Sequence, residues 1–200
     1  MQKHSGMYLT FFFQALIAAN ALYAFYFQHY QAMFFATMAC ILTFVPTIVA
    51  QRLRLQLPWS LFFLVALSLW FHTAGYVQEY YLTFFPYYDK IAHLVSGITV
   101  ALLGLLGVIF LDLYWKMRST PVFIIFFTVI FGMAFGAFWE IIEFAIDHVI
   151  GGSLSGPMQF DLNDTMWDMI FVLIGSCISA IYGIVWFRTN TKESILSKEE

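Results

Sequence analysis

Residues 89–111 read Asp89-Lys90-Ile91-Ala92-His93 and then LVSGITVALLGLLGVIFL, with no further acidic or basic residue until Asp112. An apolar run of about 20 residues is what a helix needs to cross the hydrocarbon core of a bilayer. Ile91–Leu111 is such a run, entered through a knot of charge. Five more windows of similar character flank it: Tyr8–Phe27, Ala32–Ala50, Pro58–Gln78, Val122–Ile146 and Thr165–Phe187. In lipid each segment must satisfy its own backbone groups, which leaves helices or closed barrels. A barrel would show alternating segments of about ten residues, and none occurs.

Composition agrees. The chain is 62% hydrophobic and 10% charged, against about 25% charged in ordinary soluble domains. The predicted fold is therefore all-α: a polytopic membrane helix bundle of six transmembrane helices, with residues 1–188 as one domain and residues 189–200 as a short polar cytoplasmic tail. Lys3 ahead of an apolar run suggests a secretory leader, but the run continues to Phe27, too long for a signal core. A net charge of -3 without a basic strip excludes nucleic acid as a partner. Cys40 and Cys177 lie inside apolar runs and read as packing residues.

Lysine and arginine are retained on the cytoplasmic side of a membrane. With six spans, Lys3, Arg52, Arg54, Lys116, Arg118, Arg188, Lys192 and Lys198 share one side and Lys90 alone takes the other. Both termini are thus expected in the cytoplasm.

The acidic residues are distributed in the opposite sense. Asp89 and His93 are four apart, Glu140, Glu143 and Asp147 are spaced by three and four, and so are Asp161, Asp164 and Asp168. Such spacings place each group on one helix face. Gly97, Gly132, Gly136 and Gly175 extend these stripes inward, and small residues let neighbouring helices approach closely. Three acidic stripes at one depth cannot face lipid, so they are expected to face one another. Clustered carboxylates in a poor dielectric need compensation, by shared protons, a basic partner or a bound cation. Lys90 follows Asp89 directly and is expected on another side of its helix, which leaves protons or a metal.

Asp89, His93, Glu140, Glu143, Asp164 and Asp168 form a credible ligand set for a divalent ion, Zn²⁺, Mn²⁺, Fe²⁺ or Mg²⁺, with Glu143 and Asp164 as candidate catalytic carboxylates. Bland alternatives stand beside this. Asp89 and Asp164 also suit helix N-caps. His72 and His148 fit either role, and Glu79 and Asp147 read as solvated charges at loop edges. Glu140 and Glu143 fall inside an apolar span, where ionisable groups are expensive and usually functional. Trp59, Tyr87, Tyr88, Trp115, Trp167 and Trp186 read as interface anchors.

Tyr88-Asp89-Lys90-x-x-His93, Trp139-Glu140-x-x-Glu143-Phe144 and Gln159-x-Asp161-x-x-Asp164-Thr165-x-Trp167-Asp168-Met169 together resemble the YjdF-like family of uncharacterised prokaryotic inner-membrane proteins. The resemblance implies a multi-pass protein of the inner or plasma membrane and supplies no activity. A fainter similarity is to VanZ-like proteins, from which the chain departs at Glu143 and in lacking an arginine before Asp164.

Three functions fit these residues. The leading one is a divalent-metal-binding membrane protein acting as a metal-dependent hydrolase or transferase on a lipid or lipid-linked substrate at the outer leaflet, with the bilayer as its constant partner. The second is an ion or proton-coupled transporter. The third is a non-catalytic, VanZ-like protein binding an envelope ligand. The charge bias predicts that, in a background lacking Cys40 and Cys177, single cysteines at Leu53 and Ser119 react only with cytoplasmic thiol reagent and one at Ser155 only with external reagent. Labelling of Ser155→Cys from the cytoplasm rejects the six-span topology.

Overall fold

The computed structural model describes residues 2–149, 151 and 157–195, so Lys198 and Ser155 lie outside the described residues. The helices are α1 (Gln2–Tyr26), α2 (Tyr30–Leu42), α3 (Val45–Arg52), α4 (Trp59–Val77), α5 (Tyr80–Thr83), α6 (Tyr87–Trp115), α7 (Pro121–Val149) and α8 (Leu162–Thr189). A 3₁₀ turn follows at Lys192–Ile195. Six of these segments are long and apolar enough to span a bilayer, the second being α2 and α3 together over Tyr30–Arg52.

The second span breaks at Thr43 and Phe44 because Pro46 has no N–H to donate back to the preceding turn. The exposed polar groups are satisfied locally: the Thr43 hydroxyl donates to the Cys40 carbonyl at 2.6 Å and accepts from Gln14 Nε2 of α1 at 3.0 Å. The α6, α7 and α8 helices have 29, 29 and 28 residues, roughly 43 Å each at 1.5 Å rise per residue. They run beyond the apolar windows at the cluster end. A hydropathy window stops where charge begins, whereas the helix continues because those charges meet one another inside the bundle.

Packing divides into two groups. α6, α7 and α8 pack mutually, most extensively α6 on α8; α1, α2 and α4 form a second group, and α4 bridges the two. The bundle presents large apolar side chains outward, among them Phe126, Ile141, Phe144 and Ile181. Lipid is the solvent that accepts such a surface. Of the expected anchors, Trp59, Tyr87, Trp115 and Trp167 are exposed. Tyr88 and Trp186 instead turn inward, Tyr88 donating to the Phe71 carbonyl and Trp186 packing on the core of Leu105, Val108, Ile109 and Ile124.

The contact that sets the cluster is the approach of α6 to α8 at two glycines. A methyl group on Gly97 would meet the Val172 carbonyl oxygen at 2.7 Å, and one on Gly175 would meet the Leu94 carbonyl oxygen at 2.5 Å. The helices run parallel here, held further by Ser179 donating to the Ile98 carbonyl at 2.8 Å. At the other end the first residues of the tail dock on the loop after α6. Lys192 Nζ bonds Asp112 Oδ2 and the Ser119 carbonyl, both at 2.6 Å, and Ser119 N donates to Asp112 Oδ1.

Gly175→Ala is expected to destabilise the bundle by about 1–3 kcal/mol, because the neighbour it meets is backbone and overpacking there must shift a helix. Gly107→Ala, whose added carbon meets nothing within 4 Å, is the control and should be neutral or slightly stabilising. Thermal melts in detergent compare the two, and equal melting points would mean that the α6–α8 approach is not tightly set.

Candidate functional site

Lys90, not a spare residue on another face, lies at the centre of the acidic cluster. It is seven residues from Gly97, two helical turns, so it occupies the same α6 stripe that meets α8. Its side chain is buried and its ammonium reaches across. Lys90 Nζ lies 2.5 Å from Asp164 Oδ1, 2.9 Å from both oxygens of Asp168 and 3.2 Å from the Asp164 carbonyl oxygen. Asp89 Oδ2 stands farther off at 3.5 Å. The sequence expectation that Lys90 would not serve the cluster is thus overturned: adjacency in sequence separates Lys90 from Asp89 by about 100° around the helix, and that rotation aims it at α8.

The start of α8 is built around the same pair. Asp161 is its N-cap, accepting from Asp164 N at 2.8 Å. Asp164 itself sits three residues inside, and its Oδ2 accepts from Phe160 N, the residue before the cap, at 3.4 Å. The cap is therefore Asp161 and not Asp164, and Asp89 lies in the first turn of α6 behind Pro86 rather than capping it.

His93 is the residue on which the remaining groups converge, and it is 2% exposed. Its Nε2 lies 3.4 Å from Asp89 Oδ1 and 3.8 Å from Asp168 Oδ1; its Nδ1 lies 3.8 Å from Glu140 Oε1. Two sets of potential ligand atoms fall within 4.8 Å of one another: Asp89, His93 and Asp168, and His93, Glu140 and Glu143. Asp164 belongs to neither set among the described residues. Buried polar atoms normally have partners, yet His93 Nε2 and Glu140 Oε1 are buried without one. A cation between His93 Nδ1 and Glu140 Oε1 would supply the latter, with Asp89 at Nε2, so the residues fit a divalent ion with nitrogen and oxygen ligands.

The surrounding side chains orient these groups. Trp139 Nε1 donates to Glu143 Oε1 at 2.8 Å. Gln159 Nε2 donates to Glu140 Oε2 and to its carbonyl, both at 3.0 Å. Gln159 is placed there by Asp147, whose carboxylate accepts from Met158 N and Gln159 N at 2.8–3.0 Å. Asp147 is therefore a clamp on the segment before α8, not a solvated charge. Glu79 is exposed, as expected, and His148 is exposed and bonds the Phe144 carbonyl of its own helix.

His72 sits beside the cluster, its ring 6.3 Å from that of His93 and 5.2 Å from Trp139. Both its nitrogens are occupied, Nδ1 by the Tyr81 hydroxyl at 2.7 Å and Nε2 by the Ser96 hydroxyl at 2.9 Å. Burial, reinforced by the Asp89 carboxylate, holds the Tyr81 phenol well above its ordinary value and keeps it protonated. No motif signals Tyr81, because it meets His72 only through the short α5 turn. A narrow cleft of about 30 Å³, room for one or two waters, runs from Tyr76, Tyr81, Phe85 and Phe160 down to Asp89 and Glu143.

These features define a multi-pass membrane protein with a buried histidine–carboxylate centre at one end of its helices. Residues 8–189 match the family described as Predicted membrane protein (DUF2238), and the chain belongs to that family. It is the YjdF-like family that the three motifs resemble. No curated protein and no solved structure matches the chain.

Removing the ammonium strands two buried carboxylates, a loss of about 3–5 kcal/mol for a broken buried pair. Lys90→Met should therefore lower stability by that order in detergent unfolding, and Lys90→Met with Asp164→Asn and Asp168→Asn should recover part of it. A Lys90→Met protein as stable as the wild type would show that Lys90 is not the counter-charge.

Proposed function

We propose that the protein is a membrane-embedded divalent-metal-binding protein that acts as a hydrolase or transferase on a lipid or lipid-linked substrate at the outer leaflet. The observation that carries this reading is the grouping of His93, Glu140 and Glu143, whose potential ligand atoms lie within 4.8 Å of one another, with Glu140 Oε1 buried and without a hydrogen-bond partner. Lys90 already supplies positive charge beside Asp164 and Asp168, and like charge disfavours an ion there. The ion is better held by His93 Nδ1, Glu140 and Glu143, with Asp89 facing the other ring nitrogen. A carboxylate on the second nitrogen orients a ligating histidine and raises its basicity.

A bound divalent ion supplies Lewis acidity and lowers the pKa of a coordinated water. Around it Gln159 and Trp139 fix the two glutamates, and Asp164 fixes Lys90. Asp168 shares its carboxylate between Lys90 and the imidazole side, its Oδ1 standing 3.8 Å from His93 Nε2. Glu143, which lines the cleft, is the carboxylate best placed to exchange a proton with an entering group.

A one-sided site suits an enzyme or receptor better than a transport path. Inward of the cluster, Thr99, Thr128 and Ser179 direct their hydroxyls to helix carbonyls. Beyond them Leu105, Val108, Ile109 and Ile124 close the interior. The lysines and arginines at the opposite end, Arg52, Lys116, Arg118, Arg188 and Lys192, favour a cytoplasmic placement for that end and for both termini.

An ion that binds only the folded protein stabilises it by mass action, about 2.7 kcal/mol at a hundredfold excess over its dissociation constant. Purified protein should carry stoichiometric metal by elemental analysis. Chelation should lower its melting temperature, one divalent ion should restore it, and Glu140→Gln and His93→Ala should each weaken the rescue. Lipid extract should then be turned over only by loaded protein. Identical melts for stripped and loaded samples, with no stoichiometric ion, reject the metal-dependent reading.

A further inference from the structure

At the end of the bundle opposite the histidine–carboxylate centre, an open basin of about 480 Å³ lies between the loop after α6 and the segment after α8. Ligand sites commonly measure about 300–1,000 Å³. Two of the lining residues cancel each other, because Lys192 Nζ is bonded to Asp112 Oδ2 at 2.6 Å. Lys116 and Arg118 remain as cations, with Glu193 as the one other carboxylate of the lining, so the basin keeps a formal excess of one positive charge. Among the described residues no hydrogen bond or ion pair engages the Lys116 ammonium or the Arg118 guanidinium. The backbone that carries these two cations is unfavourable for them. Lys116 and Arg118 have φ of 54° and 59°, a left-handed region that residues with a Cβ seldom occupy and where glycine usually ends a helix. Such strain persists only where the surroundings hold it, and it gathers at ligand sites. Helix polarity accounts for Lys116, which stands at the negative end of α6. It does not account for Arg118, just ahead of Pro121, where the positive end of α7 disfavours a cation. A bound anion reverses that penalty. Leu113 and Phe187 give the basin an apolar side, and Tyr114 and Trp115, exposed beside Lys116, are residue types of a membrane interface.

We propose that this basin holds the headgroup phosphate of an anionic phospholipid, with Lys116 and Arg118 as its counter-charges and Leu113 and Phe187 beside its apolar part. A phosphodiester carries one negative charge, which matches the excess of the basin. α6 ends at Trp115 and α8 at Thr189, so the basin stands where the spans leave the bilayer, at the depth of headgroups. Basic pockets at the cytoplasmic end of a helix bundle meet the negative lipids of that leaflet. Confinement to the leaflet gives such a lipid a far higher effective concentration there than a dissolved anion has. The site shares no residue with the metal-binding reading and does not rest on it.

The test takes the full chain, stripped of lipid in dodecyl maltoside, and titrates it with dioleoylphosphatidylglycerol, dioleoylphosphatidylcholine or inorganic phosphate, following bound lipid by native mass spectrometry. Phosphatidylglycerol should bind saturably and about tenfold or more tighter than phosphatidylcholine, since two basic residues attract the net negative lipid. Inorganic phosphate at the same concentration should not displace it. Lys116→Gln and Arg118→Gln should each weaken phosphatidylglycerol about fivefold, the contribution of one basic residue at an anionic surface. Arg52→Gln removes an exposed cation at the same end but outside the basin, and should leave the affinity unchanged. All three positions are exposed, so the variants should keep the fold, which lipid-free melts check. Phosphatidylcholine binding as tightly as phosphatidylglycerol overturns the proposal, and so does the absence of saturable lipid binding. A loss in Arg52→Gln equal to that in Arg118→Gln rejects it in favour of diffuse surface charge, and displacement by inorganic phosphate rejects it in favour of a site for dissolved anions.

Discussion

The ammonium of Lys90 between Asp164 and Asp168 is the interaction on which the rest of this end of the molecule depends. A carboxylate withdrawn from water into a helix bundle must find its counter-charge within the protein, and two of them here find the same one. That pairing fixes the first turns of α6 and α8 against each other. It also fills the Asp168 side of His93 with positive charge, so the still uncompensated groups are those on the other side, Glu140 and Glu143. The asymmetry of the centre follows from where one lysine stem can reach.

That reach depends in turn on the distance between the helices. Gly97 and Gly175 let α6 and α8 approach so closely that a side-chain carbon would strike backbone. Larger residues at either position would move α8 outward and carry Asp168 away from both Lys90 and His93. The third wall, α7, is brought in by Gly132 and Gly136 against Ser176 and Val172. Its glutamates are then tied to the segment before α8 through Gln159, itself held by Asp147. Small residues deep in the bundle and a hydrogen-bonded segment at its end thus act together to position groups that belong to three different helices.

The centre is shut on one side and open on the other. Toward the bundle interior the Thr99 and Thr128 hydroxyls donate to helix carbonyls, Ser176 Oγ is buried without a hydrogen-bond partner, and beyond them the core is apolar. Toward the nearer end a cleft with aromatic walls reaches Asp89 and Glu143. An ion or proton in transit needs polar groups in both directions, whereas a bound substrate needs one entrance and a sealed floor.

Much of this was legible in the sequence because lipid imposes simple constraints. The six apolar windows and the convergence of acidic stripes on three helices follow from backbone satisfaction and from the expense of charge in hydrocarbon, and both act at the level of a single segment. Helix periodicity alone placed Asp89 with His93, and Glu140 with Glu143. The role of Lys90 was not legible from its neighbour Asp89. It required knowing that the stripe through Gly97 faces α8, which is a property of two helices packed together. The same holds for Asp147 as a clamp, for Gln159 on Glu140, and for the Tyr81–His72–Ser96 chain, each of which joins residues whose separation in sequence carries no periodic signal. Composition and local spacing determined that this chain crosses a membrane and gathers carboxylates at one end of its helices. Only tertiary packing decided which carboxylates are neutralised by Lys90 and which still face His93, because the reach of a side chain depends on how closely two helices meet.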